Sequence, residues 1–360
     1  ALDAAQEARP YSLYAYRNRI LARMLDGRND DALALAEKAA ARGLVLDLAG
    51  HPAFEDLAAL PGFAAVAGRM ESNAAPVGAP QAVRAFEDSE LLPEAIAFGR
   101  KGALYIGGVR NGAILSAAKK ASSLSTLATA PGGVFDLEAR DRTIWAAVNN
   151  QLAYEGASGE TPFAAIMVFD AKSGDTLRDI RIVEENALLG DLEVAKDGAA
   201  YASDSITPRL FRLAPSGDVP EVFIEDPRFV NLQGLALDEA NNRLFVADYL
   251  AGIFVVDLAS GEVRALRNDA DAHLGGVDGL YYEKGALIGV QNGTTPQRIV
   301  QLSLDENAAA VTQLVVLHQG IEGWSEPTHG ALRDGAFHYI ATSNWPAYND
   351  DGSVKDGARL

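Results

Sequence analysis

The spacing of apolar positions changes once along the chain. Up to about residue 70 it is helical: Leu13, Tyr16, Ile20 and Met24 fall on one face of a predicted helix. Asn29 reads as the N-cap of a second helix, with Asp30 and Asp31 in the first turn, where carboxylates favour the positive end of the helix dipole. That alanine-rich helix is predicted to stop at Gly43. A third amphipathic piece, Phe54 to Met70, holds Leu57, Leu60 and Phe63 and breaks near Pro61-Gly62. Glu71 to Pro80 has the composition of a linker. Beyond it the pattern switches to short apolar runs punctuated by turn residues. The clearest stretch is NLQGLALDEANNRLFVADYLAGIFVVDL, residues 231–258, which reads as three strands joined by two tight turns.

Most of the remaining chain repeats that unit. Aligning the residue just before each first strand gives Glu94, Asp136, Asp191, Gln233, Asp278 and His329, at spacings of 42, 55, 42, 45 and 51 residues. Six copies of a four-stranded unit at this period predict a mainly β fold, a six-bladed β-propeller, behind a small helical domain. The expected boundaries are 1–71 for the helical cap, 72–82 for the linker and 83–360 for the propeller. Helix, short turn and alanine-rich helix together resemble a tetratricopeptide-type hairpin. That gives a cap packed on the propeller, with docking of a protein partner as the second reading. The sixth unit, THGALRDGAFHYIATSN, lacks its outer strands. Val83 to Phe86 is expected to supply the outermost one, and the chain is expected to continue past Leu360.

Composition narrows the chemistry. There are 31 Lys and Arg against 49 Asp and Glu, a formal net charge of -18, so the surface repels nucleic-acid phosphates. The absence of cysteine excludes thiol catalysis, disulfides and cysteine-ligated zinc. No apolar run approaches the roughly 18 residues of a membrane span. Ala1 in place of a starting methionine is consistent with a removed signal peptide or tag, and the acidity with a periplasmic or secreted protein.

In a propeller the entry ends of the innermost strands converge on one mouth of the central channel. All six aligned residues are polar, and Glu94, Asp136, Asp191 and Asp278 are carboxylates that would repel one another without a cation or shared protons. Carboxylate and amide oxygens suit a hard cation, calcium first, with magnesium, manganese or zinc as alternatives. The expected metal set is Glu94, Asp191, Gln233 and Asp278. Asp278, Asp191 and His329 are the candidate proton acceptors, and Asp136 and Glu326 the candidate substrate contacts. Trp324 and Trp345 could wall a pocket, and the loops 151–162 and 318–328 would set specificity. Asn149, Asn150, Asp204, Ser205, Asp248, Tyr249, Gln291, Asn292, Ser343 and Asn344 end or follow the second strands. They read as turn formers at the far end of each sheet, away from the mouth.

LLPEAIAF, LQGLALD with LFVADY, and VDGLYY resemble the SMP-30/gluconolactonase/LRE-like propellers over roughly residues 83–345. The resemblance implies one divalent cation held in the mouth by a Glu, two Asn and an Asp, orienting a lactone or ester carbonyl and a water. The Glu falls on Glu94 and the Asp on Asp278. The fourth-blade Asn-Gly is Gln233-Gly234 here, and the third-blade Asn-Asp is Gly190-Asp191. The sequence thus leans towards a metal-dependent hydrolase of a small lactone or ester. Two readings stand beside it: a metal-independent lyase or condensing enzyme resembling strictosidine synthase, and a non-catalytic ligand-binding or scaffolding propeller.

Overall fold

The computed structural model describes residues 8–86, 91–118, 123–157, 161–184 and 186–358. Helices α1 (Leu13–Leu25), α2 (Asn29–Ala41), α3 (Glu55–Ala58) and α4 (Phe63–Asn73) come first. The Ser12 hydroxyl caps α1 by accepting from the Ala15 amide at 3.2 Å. The second cap differs from expectation. Asn29 is the first helical residue, and Arg28 occupies the cap position without a side-chain capping bond. Gly43 ends α2 as predicted. Its φ of 76° lets the Gly43 and Leu44 amides reach back to Ala40 and Ala39, a Schellman turn. Tyr16, Ile20, Ala36, Leu57, Phe63 and Met70 bury the apolar faces of these helices against one another.

Five sheets follow in up-and-down order, four of them four-stranded and antiparallel and the fifth carrying one added parallel strand. They are β1 (Pro93–Phe98), β2 (Leu104–Gly108), β3 (Ala113–Ala117) and β4 (Ser125–Thr129); β5 (Gly133–Arg140), β6 (Thr143–Asn149), β7 (Ala164–Asp170) and β8 (Thr176–Arg181); and β9 (Leu189–Val194), β10 (Ala200–Asp204), β11 (Arg209–Leu213) and β12 (Glu221–Glu225). The fourth holds β13 (Leu232–Asp238), β14 (Arg243–Asp248), β15 (Gly252–Asp257) and β16 (Val263–Ala265). In the fifth, β17 (Arg267–Asn268) runs parallel to the outer edge of β18 (Leu280–Glu283), β19 (Ala286–Gln291), β20 (Arg298–Leu304) and β21 (Ala310–Gln319). Apolar side chains fill the wedges between sheets. Trp145, Ile166, Leu192 and Phe211 form one such core, and Phe245, Val255, Leu287 and Val300 another. Each fully buried side chain of this size is worth about 1.5–3 kcal/mol relative to exposure.

The sixth position corrects the expectation of a sixth blade closed by residues 83–86. Among the described residues it holds only the hairpin β22 (Gly330–Arg333) and β23 (Ala336–Tyr339). Residues 83–86 add no strand to it. Arg84 instead donates to the Ala118 carbonyl beside the first sheet. The ring still closes, because β22 lies against β1 and the Gly330 amide donates to the Tyr281 hydroxyl of β18 at 2.7 Å. After β23 the chain folds back: the Asp350 carbonyl accepts from the Ala153 amide at 2.6 Å, and the Gly352 carbonyl from Arg110 at 3.0 Å.

The helical segment docks beside the fourth and fifth sheets. The Tyr11 amide donates to Leu250, and that of Val45 to Thr295. The stretch of linker composition is bonded too: Val77 and Gln319 exchange backbone hydrogen bonds, and the Gln319 side chain donates to Asn73 and Ala75. No helix among the described residues is long and apolar enough to cross a membrane.

Candidate functional site

The mouth is built by the inner strands β1, β5, β9, β13, β18 and β22. Four of them break register at the point of interest: between Pro93 and Ala95, Val134 and Asp136, Leu189 and Leu192, and Leu232 and Leu235. A bulge bends the strand and re-aims the side chain beside it. Glu94, Asp136, Asp191 and Gln233 all lie at these breaks.

The aligned residues divide into two groups. Among the described residues, two clusters have ligand atoms within 4.8 Å of one another, Glu94–Asp278–His329 and Asp136–Asp191–His329. In the second cluster both Asp136 oxygens and one Asp191 oxygen are already engaged. Asp136 Oδ1 lies 3.0 Å from His329 Nδ1, and Asp136 Oδ2 accepts from the Leu192 amide at 3.1 Å. Asp191 Oδ2 accepts from the Leu235 amide at 3.0 Å. These carboxylates tie each inner strand to the next. In the first cluster the partners are side chains from the rim. Trp345 Nε1 donates to Glu94 Oε2 at 2.5 Å, and Asn292 Nδ2 donates to Asp278 Oδ2 at 2.6 Å. Asn292 Oδ1 in turn accepts from the Tyr249 hydroxyl at 2.8 Å. Glu94 is 6% exposed and His329 2%, whereas Asp278, Asn292, Tyr249, Trp345 and Glu326 are half-buried and line the opening.

The electrostatics follow the crowding. Burial, and then the charge of Asp278, pushes Glu94 well above the usual carboxylate range. Asp278 is raised by burial, and Asp191 by burial and Asp136. Burial opposes a charge on His329, but the bond to Asp136 and the surrounding carboxylates raise its pKa well above the ordinary value. Two residues further along the inner strands, burial raises Glu138 to about 7 and, with Glu138 beside it, raises Glu193 well above its usual range.

The donor chemistry of Glu94, Asp278 and His329 fits a divalent cation. Its two carboxylates crowd one another and a cation would relieve that repulsion, with His329 Nε2 able to ligate once the imidazolium has given up its proton there. The Asp136–Asp191–His329 cluster offers a second set of ligating groups, although both Asp136 oxygens and one Asp191 oxygen are already engaged. Gln233 stands aside from both. Its Nε2 donates to Asn231 Oδ1 at 3.2 Å, and its Oε1 lies 3.1 Å from where a Cβ on Gly190 would sit. The longer amide thus occupies space that a side chain at position 190 would need. Of the expected substrate contacts, Asp136 has both oxygens engaged. Glu326 is at the rim, its carboxyl raised by burial and by Asp278.

The placement of the second-strand ends corrects the sequence reading. In an antiparallel hairpin the end of the second strand lies beside the start of the first. Gly133 pairs with Asn149, Leu232 with Asp248, and Asp204 with Leu189, all at the mouth end. Asp204 and Asp248 do turn chemistry there: Asp204 accepts from the Leu188, Ile206 and Thr207 amides, and Asp248 from Val230, Asn231, Leu250 and Ala251. Asn149 instead ties β6 to β9, donating to the Leu189 carbonyl and accepting from the Leu189 amide. Tyr249 and Asn292 reach the cluster itself. The signal for them was hairpin direction.

Comparison with known proteins supports the fold. No protein-family model matches the chain, and no curated protein does. Solved structures do. A protein described as an oxidoreductase (glucose dehydrogenase) from Thermus thermophilus is 18% identical, with a TM-score of 0.51 over 74% of this chain and 94% of that one. The PQQ-bound form of aldose sugar dehydrogenase from Streptomyces coelicolor is 18% identical, with a TM-score of 0.50 over 78% of this chain and 97% of its own. The WD40 propeller domain of Doa1 is 15% identical, with a TM-score of 0.50 over 70% of this chain and 76% of its own. At these identities the likeness is one of fold: the chain is a β-propeller.

Proposed function

We propose that the mouth binds one divalent cation through Glu94, Asp278 and His329 and hydrolyses a small lactone or ester. The observation that carries this reading is the convergence of those three ligand groups at a half-open mouth rimmed by Asn292, Tyr249 and Trp345. The two carboxylates are the Glu and Asp that the SMP-30/gluconolactonase-like pattern requires. When bound, the metal would polarise the carbonyl and lower the pKa of a water.

The chain's own residues do the rest. Asp136 holds His329 at Nδ1 and leaves Nε2 as the nitrogen free for the site. Trp345 and Asn292 each hold one oxygen of Glu94 and Asp278, fixing both carboxylates. Glu326 at the rim is the group best placed to take a proton without serving as a ligand. The Tyr249 hydroxyl, raised by burial and by Asp278, stays protonated and steadies Asn292. The deciding experiment measures metal content and turnover of a lactone and ester panel by the full chain, before and after chelation. Bound metal with chelator-sensitive hydrolysis supports the reading, and a metal-free protein with unchanged turnover sinks it.

The His329–Asp136 pair favours a second reading, a metal-independent acid–base enzyme in which the imidazolium is the acid. Turnover that survives chelation but is lost in His329→Gln separates it from the first.

A further inference from the structure

A buried guanidinium lacks its counter-charge where the helical segment meets the fifth sheet. Arg298 is 1% exposed. Its Nε donates to Gln291 Oε1 at 2.7 Å and its Nη1 to the Arg42 carbonyl at 3.4 Å, while Nη2 has no partner. No carboxylate among the described residues forms an ion pair with it. Gly43 leaves room for the group, since a Cβ there would sit 2.8 Å from Arg298 Nη1.

The internal repeat supplies the control. Arg298 opens β20 and pairs across the hairpin with Gln291, the last residue of β19. In the third sheet the equivalent pair is Arg209, which opens β11, and Asp204, the last residue of β10. There Nε and Oδ2 are 3.0 Å apart and the charge is cancelled. The fifth sheet keeps the hydrogen bond and replaces the acid with an amide. Gln291 has no freedom to turn away, because its Nε2 donates to the carbonyls of His273 and Gly275.

Other donors lie around the unpaired charge. His273 is fully buried, edge-on to Tyr11 at 5.3 Å, and neither ring nitrogen has a partner. Arg42 donates to the Tyr16 hydroxyl and pairs with Asp271, but its Nε is unpartnered. Burial lowers Arg298 only to about 10, so it remains cationic at neutral pH. Burial and the two arginines push His273 well below its ordinary range, which leaves it neutral with one N–H to donate. An unpaired buried charge is costly, and a bridging water would not cancel it.

We infer that one small monovalent anion, of the size and charge of chloride, lies between Arg298 and His273 and locks the helical segment onto the fifth sheet. The test is thermal unfolding of the full chain in sodium chloride against sodium gluconate at equal ionic strength, gluconate being too large to bury. Chloride should raise Tm saturably by roughly 2–5 °C. Gln291→Glu, which restores the charge present in the third sheet, should abolish that dependence. Crystals soaked in bromide should show an anomalous peak beside Arg298 Nη2. Equal Tm in the two salts, or an unchanged chloride response in Gln291→Glu, overturns the inference. Should the variant not fold, the bromide map decides: a peak at Arg298 Nη2 upholds it, and none there overturns it.

Discussion

Asp136 and Glu94 occupy the same register at the entry of neighbouring inner strands, and they do different work. Asp136 accepts a backbone amide from the next strand and holds an imidazole, so it is part of the frame. Among the described residues the Glu94 side chain accepts only from an indole on the rim, and it lies beside Asp278 at the opening. The same division separates Asp191 from Asp278. A polar ring in a propeller is therefore not one site. Residues that bond the next strand's backbone build the channel, and residues held by side chains are free to act on a ligand.

The largest test of this comparison removes a frame carboxylate. Asp136→Ala leaves a buried imidazole without its partner and the Leu192 amide unsatisfied. Breaking a buried pair in this way costs about 3–5 kcal/mol. Chemical denaturation should show a loss of that size. A loss below about 1 kcal/mol would place Asp136 with the free group instead.

The mirror experiment is Asp278→Asn, which keeps shape and removes charge. Metal affinity and turnover should fall about 100-fold or more, the scale of losing one essential stabilising group. Stability should hold or rise, because the substitution relieves the repulsion that raises Glu94. Metal titration calorimetry and a melting curve on the same sample check both halves. A fall in stability comparable to that of Asp136→Ala would erase the distinction.

The third prediction concerns pH. Glu138 is raised to about 7 and Glu193 well above its usual range, both chiefly by burial, with Arg140 as the cation facing them. A carboxyl raised on folding binds more protons in the native state than in the unfolded state. Stability is therefore greatest below its ordinary pKa and falls as pH rises towards the folded one. For Glu138 that window runs from about 4.5 to about 7. His329, raised as well, acts in the same direction, being stabilising while protonated. Exposed carboxylates with lowered values, such as Asp170 and Asp257, act only below this window. The protein should thus melt several degrees higher at pH 5 than at pH 7.5, and Glu138→Gln should flatten the slope. A profile that rises with pH would contradict the raised carboxyls of this pair, whose side chains are half-buried.

The repeat made the fold legible. LFVADY, ALYIGG and FHYIATS recur with the same strand–turn–strand spacing, and every inner hairpin turn takes a left-handed residue: Lys101, Asp141, Gly198, Asn242, Gly285 and Gly335. The ring residues were legible for the same reason. The sixth sheet was not, because two strands repeat there and the register of the missing ones has no local signal. The site was half legible. Glu94, Asp278 and His329 come from alignment alone. Tyr249 and Asn292 needed the direction of the hairpin; Trp345 was legible as a pocket wall, but its bond to Glu94 needed the path of a chain that folds back after its last strand. Gln233, which fitted the ligand pattern by position, is drawn aside by Asn231 and by the empty space at Gly190.

The finest test of the comparison is Trp345→Phe. The indole packs near Phe135, with ring centroids 6.3 Å apart, and its Nε1–H is the only hydrogen-bond donor to the Glu94 side chain among the described residues. Phenylalanine keeps most of the packing and removes the donor. Loss of one hydrogen bond to a charged group is worth about 1.5–3 kcal/mol at most, and supporting residues of metal ligands typically contribute about 10–100-fold in affinity. Metal binding should weaken by about tenfold, with little change in Tm. The carboxylate should also protonate more readily, so the deficit should grow as pH falls. Were Trp345 only a wall of the pocket, the variant would change KM for bulky substrates and leave metal affinity and its pH profile untouched.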